Sequence, residues 1–512
     1  MDGVADFGEI AAASLLTRAG GPVRTSESLR DKVAIFSDGR CLVSRNNAQD
    51  VDVLSAIALA RRLGVKTVGP ELVDLGALRS IYHGRVGSAD RRVSRDDTTM
   101  QREVQELLRH AARLQASDIH LVVDSHRATL KVRVDGELRP MPGGTVGSTG
   151  AWHADYGRQV CMTAYAMAAE GGTADANFDP FGYQAGRMTT HLPDGVQAVR
   201  LQFNPVGFSG RHLAMRLLYA GHAAGATLPA LGFAASQVEA LTEFADQRSG
   251  LLVIAGPTGP GKSTTLERMM QYIVAADPGG NIMSVEDPPE YRIPGVVQLA
   301  VSNLRNDDDR EHAYAEAIAA VLRSDPDRIM IGEIRTRSTA HYAFEAAMTG
   351  HQVLTTVHAN DALGIVPRLM DIGVESYKLR DPSLIRGLVA QRLVRRLCEK
   401  CRRPVPPSKA GLRRELGAFL ESTFPDQPIW LPGIGCAACR EGYDGRTVIA
   451  ELVSPDQHLL ELLCAGERQT AVDYWRESLA GQPFQMHALQ KIEAGIVDPG
   501  QIEARVCRLT TT

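Results

Sequence analysis

Gly256-Pro257-Thr258-Gly259-Pro260-Gly261-Lys262-Ser263-Thr264 is the stretch from which the rest of the chain is read. It contains the pattern G-x-x-x-x-G-K-[ST] without a mismatch. Before it, Leu251-Leu252-Val253-Ile254-Ala255 is a short apolar run of the kind that makes a buried strand, and after it Thr265 to Met270 reads as a helix. In a strand, loop and helix unit of this type the loop N–H groups and the positive end of the helix face an anion. Lys262 is then placed to reach the β- and γ-phosphates of a nucleotide, and the Ser263 hydroxyl to ligate Mg²⁺. A turn that merely happened to contain Lys-Ser would not need the flanking strand and helix.

Further along the chain, Asn281 to Val285 is strand-like and ends in Glu286-Asp287-Pro288-Pro289-Glu290. Carboxylates at the carboxyl end of a strand in an α/β sheet lie where ligands bind, and beside a phosphate loop they can hold a Mg²⁺-bound water or accept its proton. Ile329-Met330-Ile331-Gly332-Glu333 is a second apolar run ending in an acid, the Walker-B arrangement. A third runs from Leu354 to Val357, with His351 before it and His358 after it. These histidines are either ordinary residues or γ-phosphate sensors.

The bulk composition is that of a globular protein of several domains: 512 residues, 44% apolar, 23% charged and 5% aromatic. A net charge of −4 argues against nucleic-acid binding through bulk charge, and no stable nucleic-acid partner is expected. No run approaches the ~18 apolar residues of a membrane span, and the start Met1-Asp2-Gly3-Val4 lacks the basic residues of a signal peptide. A cytoplasmic protein is expected. Four of the eight cysteines form two C-x-x-C pairs, Cys398 with Cys401 and Cys436 with Cys439. Two such pairs point to tetrahedral structural Zn²⁺, since four sulfur ligands leave no position for a reacting water.

Five segments are expected. Residues 1–95 read as a small α/β module with a hairpin around Asp38-Gly39 and a helix from Val51 to Leu63 whose Val51, Leu54, Ile57, Ala58 and Leu63 share a face. It is either a docking domain or a structural extension. Ser88 to Thr99 reads as a linker. Residues 96–222 open with a helix from Val104 to Gln115 and continue as alternating antiparallel strands, with a glycine-rich insertion from about residue 143 to 172 and a Gly/Ala-rich linker at 220–226. Arg200, Arg211 and Arg216 in these strands are either salt-bridged surface residues or face bound phosphate. Residues 226–395 hold the nucleotide motifs, 396–445 the cysteine pairs, and 446–512 a helical region.

In order along the chain, Ala116-Ser117-Asp118-Ile119-His120, Arg133-Val134-Asp135-Gly136, the phosphate loop, Glu286 to Glu290, Gly332-Glu333-Ile334-Arg335, Thr349-Gly350-His351 and Thr355-Thr356-Val357-His358 resemble the secretion-ATPase superfamily of type II secretion and type IV pilus motors. The resemblance runs from about residue 100 to the C-terminus. It implies an α/β fold with a PAS-like α+β half followed by a RecA-like P-loop domain, and an enzyme that hydrolyses ATP with Mg²⁺. It implies that Gly256 to Thr264 with Glu286 and Asp287 bind nucleotide, that Glu290 polarises the attacking water, and that Glu333 assists Mg²⁺ and water. His351 and His358 would sense nucleotide state, and Arg200, Arg216 and Arg211 would reach the site from the preceding half. It also implies a homo-hexamer at the inner membrane, acting on a membrane platform protein and through it on pilin or pseudopilin. Leu121-Val122-Val123 stands where the family has Ile-Glu-Pro, Pro260 where it has Ser, and Pro289 where it has an aliphatic residue. None of these removes a phosphate or Mg²⁺ ligand.

The cysteine pairs, flanked by Gln391 to Cys398 and by Gly442-Tyr443-Asp444-Gly445-Arg446, also resemble the family, where this element is typical of assembly and secretion motors and absent from retraction motors. The reading is a type IV pilus assembly ATPase, nearest to plasmid-borne or type IVB systems. The alternatives are a type II secretion ATPase, a conjugative or type IV secretion ATPase, a RecA-like DNA helicase and a nucleotide-gated scaffold without turnover.

Overall fold

The computed structural model describes residues 15–17, 22–23, 29, 32–44, 50–67, 69–73, 90–141, 151–170, 178–179, 181–207, 210–219, 227–257, 259–287, 289–301 and 307–510. Thr258 and Pro288, the glycine-rich stretch 143–150 and the expected linker 220–226 lie outside them. The chain divides into two compact units, Met1–Val104 and Gln105–Thr512.

In the first unit Val33–Ile35 and Cys41–Ser44 pair antiparallel across the Asp38-Gly39 turn, and Glu71–Val73 adds parallel to the second strand. The helix Val51–Arg62 starts where the Asp50 carboxylate accepts from the Asp52 N–H and ends in Arg61 and Arg62, which complement the helix dipole. Its buried face is Val53, Ala56, Ile57 and Ala60, whereas Leu54 and Leu63 are 49% and 51% exposed. The expected face was therefore rotated: Ile57 belongs to both, but small Ala56 and Ala60, with Val53, meet the sheet. The expected linker is instead largely helical, since one helix runs from Asp90 to Arg113.

The second unit holds two seven-stranded sheets. The first is antiparallel throughout: Glu137–Pro140, Arg127–Val134, Asp118–Val123, Gly210–Tyr219, Val196–Val206 and Gln184–Met188 in spatial order, with Ala151–His153 pairing to Arg127–Val134. Leu201, Phe203, Leu213, Met215, Leu121 and Leu130 alternate inward and are almost wholly buried. The helix Ala154–Glu170 packs on this sheet through Val160, Ala164, Tyr165 and Ala168. The part of the expected insertion that is described thus belongs to the core of this half.

The second sheet runs Val297–Ala300, Ile282–Glu286, Arg328–Ile331, Gln352–Val357, Gly250–Ala255, Ile385–Leu397 and Tyr443–Val453. It is parallel except for the last pair. The near-continuous burial of Gly250–Ala255 and Gln352–Val357 is what a parallel strand covered on both faces requires. Tyr443–Val453 is a strand of this sheet, so the region after residue 446 is not helical from its start. The helices Gln457–Ala465, Arg468–Ser478, Phe484–Glu493 and Pro499–Arg505 follow it. The cysteine-bearing segment is the long connection between the last two strands. Among the described residues no helix is long and apolar enough to cross a membrane.

Candidate active site

Because the sheet is parallel, the carboxyl ends of its strands converge on one edge, and Ala255, Glu286, Ile331 and Val357 all end there. The strand Gln352–Val357 lies between the phosphate-loop strand and the strand that ends before Glu333. That order puts His358 between Lys262 and Glu333. A cleft of about 1700 Å³ opens at this edge, floored by the phosphate loop and walled by the antiparallel half and by the cysteine segment.

Gly261 caps the helix Lys262–Ala276 at φ +86°, and a side chain there would press on Leu393 and Gln391. The Lys262 ammonium rests against the Gly256 and Val357 carbonyls at 3.1 and 3.3 Å. Burial holds its pKa below the usual lysine value, and the nearby Glu333 works the other way. Gln391 is fully buried beneath the loop. It donates to the Pro260 carbonyl at 2.7 Å and accepts from the Thr265 hydroxyl at 2.9 Å. In the sequence Gln391 is one residue of an apolar and basic run, and only the neighbouring strand reveals its task.

The Glu333 carboxylate is shared. One oxygen lies 2.8 and 2.7 Å from Arg335 Nε and Nη2, and the other 2.9 Å from His358 Nε2. Burial disfavours the Arg335 charge, but the contact with Glu333 outweighs it and raises the pKa. Tyr314 donates its hydroxyl to the Val285 carbonyl at 2.9 Å, bracing the strand beside Glu333. Glu286 accepts from Ser284 and Gln298 at 2.8 and 2.9 Å, and burial raises its pKa. Gln298 also binds the Tyr291 carbonyl and the Ile293 N–H, both at 2.8 Å, so it pins the loop that carries Glu290 over the cleft. Carboxylates so placed beside a lysine and a histidine can orient water and metal around a phosphoryl group.

From the antiparallel half, Arg200, Arg216, Asp118 and Arg133 occupy one register across four adjacent strands and line the cleft. Directly paired residues share a face, so this is a row of three cations and one anion. Asp118 lies 2.9 Å from Arg216 and 3.8 Å from Arg133. Asp118 and Arg133 were visible in the sequence only as parts of short motifs. Arg211 is different. It is 4% exposed, donates to the Gly182 carbonyl at 2.7 Å and lies over the Phe178 and Phe203 rings. It belongs to the core of its half, because its place in the alternation of Gly210–Tyr219 points inward with Leu213 and Met215.

His351 is also absent from the cleft. It precedes the strand whose far end carries His358, and its carbonyl accepts from the Gly250 N–H at the opposite edge of the sheet. Six strand residues separate the two histidines by roughly 20 Å. Pro257, Gly259, Pro260, Gly261, Lys262, Ser263, Thr264, Asp287 and Glu290 line the cleft, and Gly256 lies beneath it with its carbonyl against Lys262.

The four cysteine sulfurs all lie within 4.8 Å of one another, with contacts of 3.5, 3.6 and 3.8 Å. Tetrahedral Zn²⁺ with Zn–S bonds of about 2.3 Å needs S···S separations of about 3.8 Å, so the donor set fits. Gly433 lies where a Cβ would strike the Cys401 carbonyl at 2.0 Å, which lets the two cysteine loops cross.

A family profile described as type II/IV secretion system protein matches residues 93–504. Among curated proteins, the type II secretion system protein HxcR of Pseudomonas aeruginosa is 36% identical over 73% of this chain and 71% of its own length. The type II secretion system protein E of Aeromonas hydrophila is 32% identical over 74% and 70%. The type IV pilus assembly ATPase PilB of Thermus thermophilus is 34% identical over 80% of this chain but only 43% of its own. Among solved structures, the Legionella pneumophila ATPase DotB has a TM-score of 0.51 at 19% identity, covering 77% of this chain and 92% of that one. The pilus retraction motor PilT with bound ADP has a TM-score of 0.50 at 21% identity, covering 78% and 95%. At these identities the two structures speak for the fold alone.

Proposed function

Because the chain belongs to the type II/IV secretion system protein family and is an ATPase, we propose that it hydrolyses ATP with Mg²⁺ as a homo-hexameric motor powering type IV pilus assembly. The observation that carries the hydrolytic part is the meeting of Lys262, Glu333 and His358 at the ends of three neighbouring strands, facing Arg200 and Arg216 across the cleft.

In this reading residues 1–95 are a docking module, 96–222 a PAS-like half, 226–395 a RecA-like core, 396–445 a zinc element and 446–512 a C-terminal region whose helices, after the strand it gives to the core's sheet, pack on the ring. Lys262 and the loop N–H groups hold the phosphates. Ser263, with Glu286 and Asp287 beyond it, would hold Mg²⁺, which when bound neutralises charge on the phosphates. Glu290 takes the proton of the attacking water, and Glu333 orients that water. His358 changes partner as the γ-phosphate leaves, so it senses nucleotide state; His351, at the other edge of the sheet, would act only indirectly. Arg200 and Arg216 stabilise charge on the transferring phosphoryl group when the halves close. Four thiolates at 398, 401, 436 and 439 would hold structural Zn²⁺.

The motor would work in the cytoplasm against the inner membrane, turning a polytopic platform protein and so extruding pilin. The tetracysteine element favours assembly over retraction. A type II secretion motor is the second reading, favoured by the relatives at 36% and 32% identity. A deletion strain scored for pili and for exported enzymes separates the two: loss of pili with normal export supports the first, and the reverse pattern the second.

A further inference from the structure

Directly after Cys439 the chain makes a two-residue turn. Arg440 and Tyr443 exchange both backbone hydrogen bonds at 2.9 Å, and the turn residues Glu441 and Gly442 have φ of +51° and +85°. Both positive values mark the tight turn that matches strand twist. Its base is fixed to the first cysteine pair, because the Cys398 N–H donates to the Gly442 carbonyl at 2.8 Å. The antiparallel half presents a turn of the same kind at Asp135-Gly136, with φ of +49° and +82°.

The Arg440-Glu441 turn touches the antiparallel half beside that second turn: Arg139, on the strand that leaves Asp135-Gly136, lies 2.8 Å from Glu441, and Arg440 donates to the Leu114 carbonyl at 2.7 Å. Glu137 is 3.3 Å from both Arg395 and Arg505 of the ATPase half, and the Arg395 guanidinium is stacked 3.7 Å over the Tyr443 ring. Four polar links thus join the halves at the rim of the nucleotide cleft, and Ala437, Ala438 and Arg440 line the cleft itself.

We infer that the tetracysteine knuckle is an intramolecular clasp: it presents the Arg440-Glu441 turn as a docking surface for the Asp135–Arg139 turn of the preceding half and so sets how far the cleft opens. Each link alone is weak, as partly exposed ion pairs are. The two made by Arg440 and Glu441 depend on the turn being held in place, and the cysteine cluster holds it. This gives the zinc element a task at the cleft, and it stands whether or not the motor serves pili.

The test uses the full chain carrying a photoreactive benzoylphenylalanine at position 438, an exposed residue between the second pair of cysteines. Mixed light and isotopically heavy protein distinguishes cross-links within a chain from those between chains. The expected result is intrachain cross-linking to residues 114–118 or 133–139. It should fall roughly fivefold in Glu441→Arg and in Arg139→Glu, recover in the double variant with the charges exchanged, and fall again on zinc removal by a chelator. Cross-links confined to the ATPase half or formed between chains would overturn the inference. So would a yield indifferent to zinc, or single reversals that the exchanged pair does not rescue.

Discussion

Gln391→Leu removes two hydrogen bonds from beneath the phosphate loop while nearly preserving volume. The glutamine is fully buried and bonded at 2.7 Å to the Pro260 carbonyl and at 2.9 Å to Thr265. Each lost bond is worth about 1 kcal/mol, and an orphaned buried partner costs about 1–3 kcal/mol more. Thr265 can turn its hydroxyl to the carbonyl one helical turn back, so its share is small. The Pro260 carbonyl has no such recourse. The expected loss is therefore about 2–4 kcal/mol. In a unit of about 400 residues, Gln105–Thr512, that lowers the melting temperature by roughly 2–5 °C. If half of the loss is felt as disorder of the loop, ATP binds about tenfold more weakly. Thermal melts and titration with a fluorescent ATP analogue measure both. A Thr265→Val, Gln391→Leu cycle should return a coupling of about 0.5–2 kcal/mol. A leucine variant with the parent's melting temperature and affinity would show that Gln391 does not hold the loop.

Glu451 is almost completely buried, which raises its pKa to about 7 from the ordinary 4.5. The folded state then keeps a proton that the unfolded chain releases, so stability falls as pH rises from about 4.5 to 7, by about 3 kcal/mol in all. Glu451→Gln should flatten that fall in melts at pH 5 and pH 8, and an unchanged slope would count against it. Arg216→Ala should lower kcat about a thousandfold in phosphate-release assays with little change in melting temperature; a fall of only a few-fold would leave Arg216 as a partner of Asp118 alone. Metal analysis should find one zinc per chain, lost in Cys436→Ser, with the isolated loss of protection in residues 396–445 seen by hydrogen exchange.

What the sequence made legible was local. The strand, loop and helix around Gly256 to Ser263, the acids at strand ends and the paired cysteines announce themselves because their chemistry lies in short spacings. Alternation likewise exposed the antiparallel half. The sequence did not say which residues face each other across strands. Gln391 and Gln298 hold the phosphate loop and the Glu290 loop from other strands, and neither carries a local signature. Arg200, Arg211 and Arg216 looked alike in sequence, yet alternation along Gly210–Tyr219 turns Arg211 into the core and Arg216 toward the cleft. His351 and His358 bracket one strand, and its length alone separates them. The helix starting at Asp90 was hidden because its residues are strongly polar, and helix formation by such a segment depends on more than an apolar face.

If the cleft turns over ATP through the carboxylate held between Arg335 and His358, phosphate release by the full chain with Mg²⁺ and ATP depends on Glu333. The parent should turn over, and Glu333→Gln should keep ATP binding while hydrolysis falls at least about a hundredfold. Equal rates in the two proteins, or no Mg²⁺-dependent hydrolysis in an assembled parent, would contradict this role of Glu333.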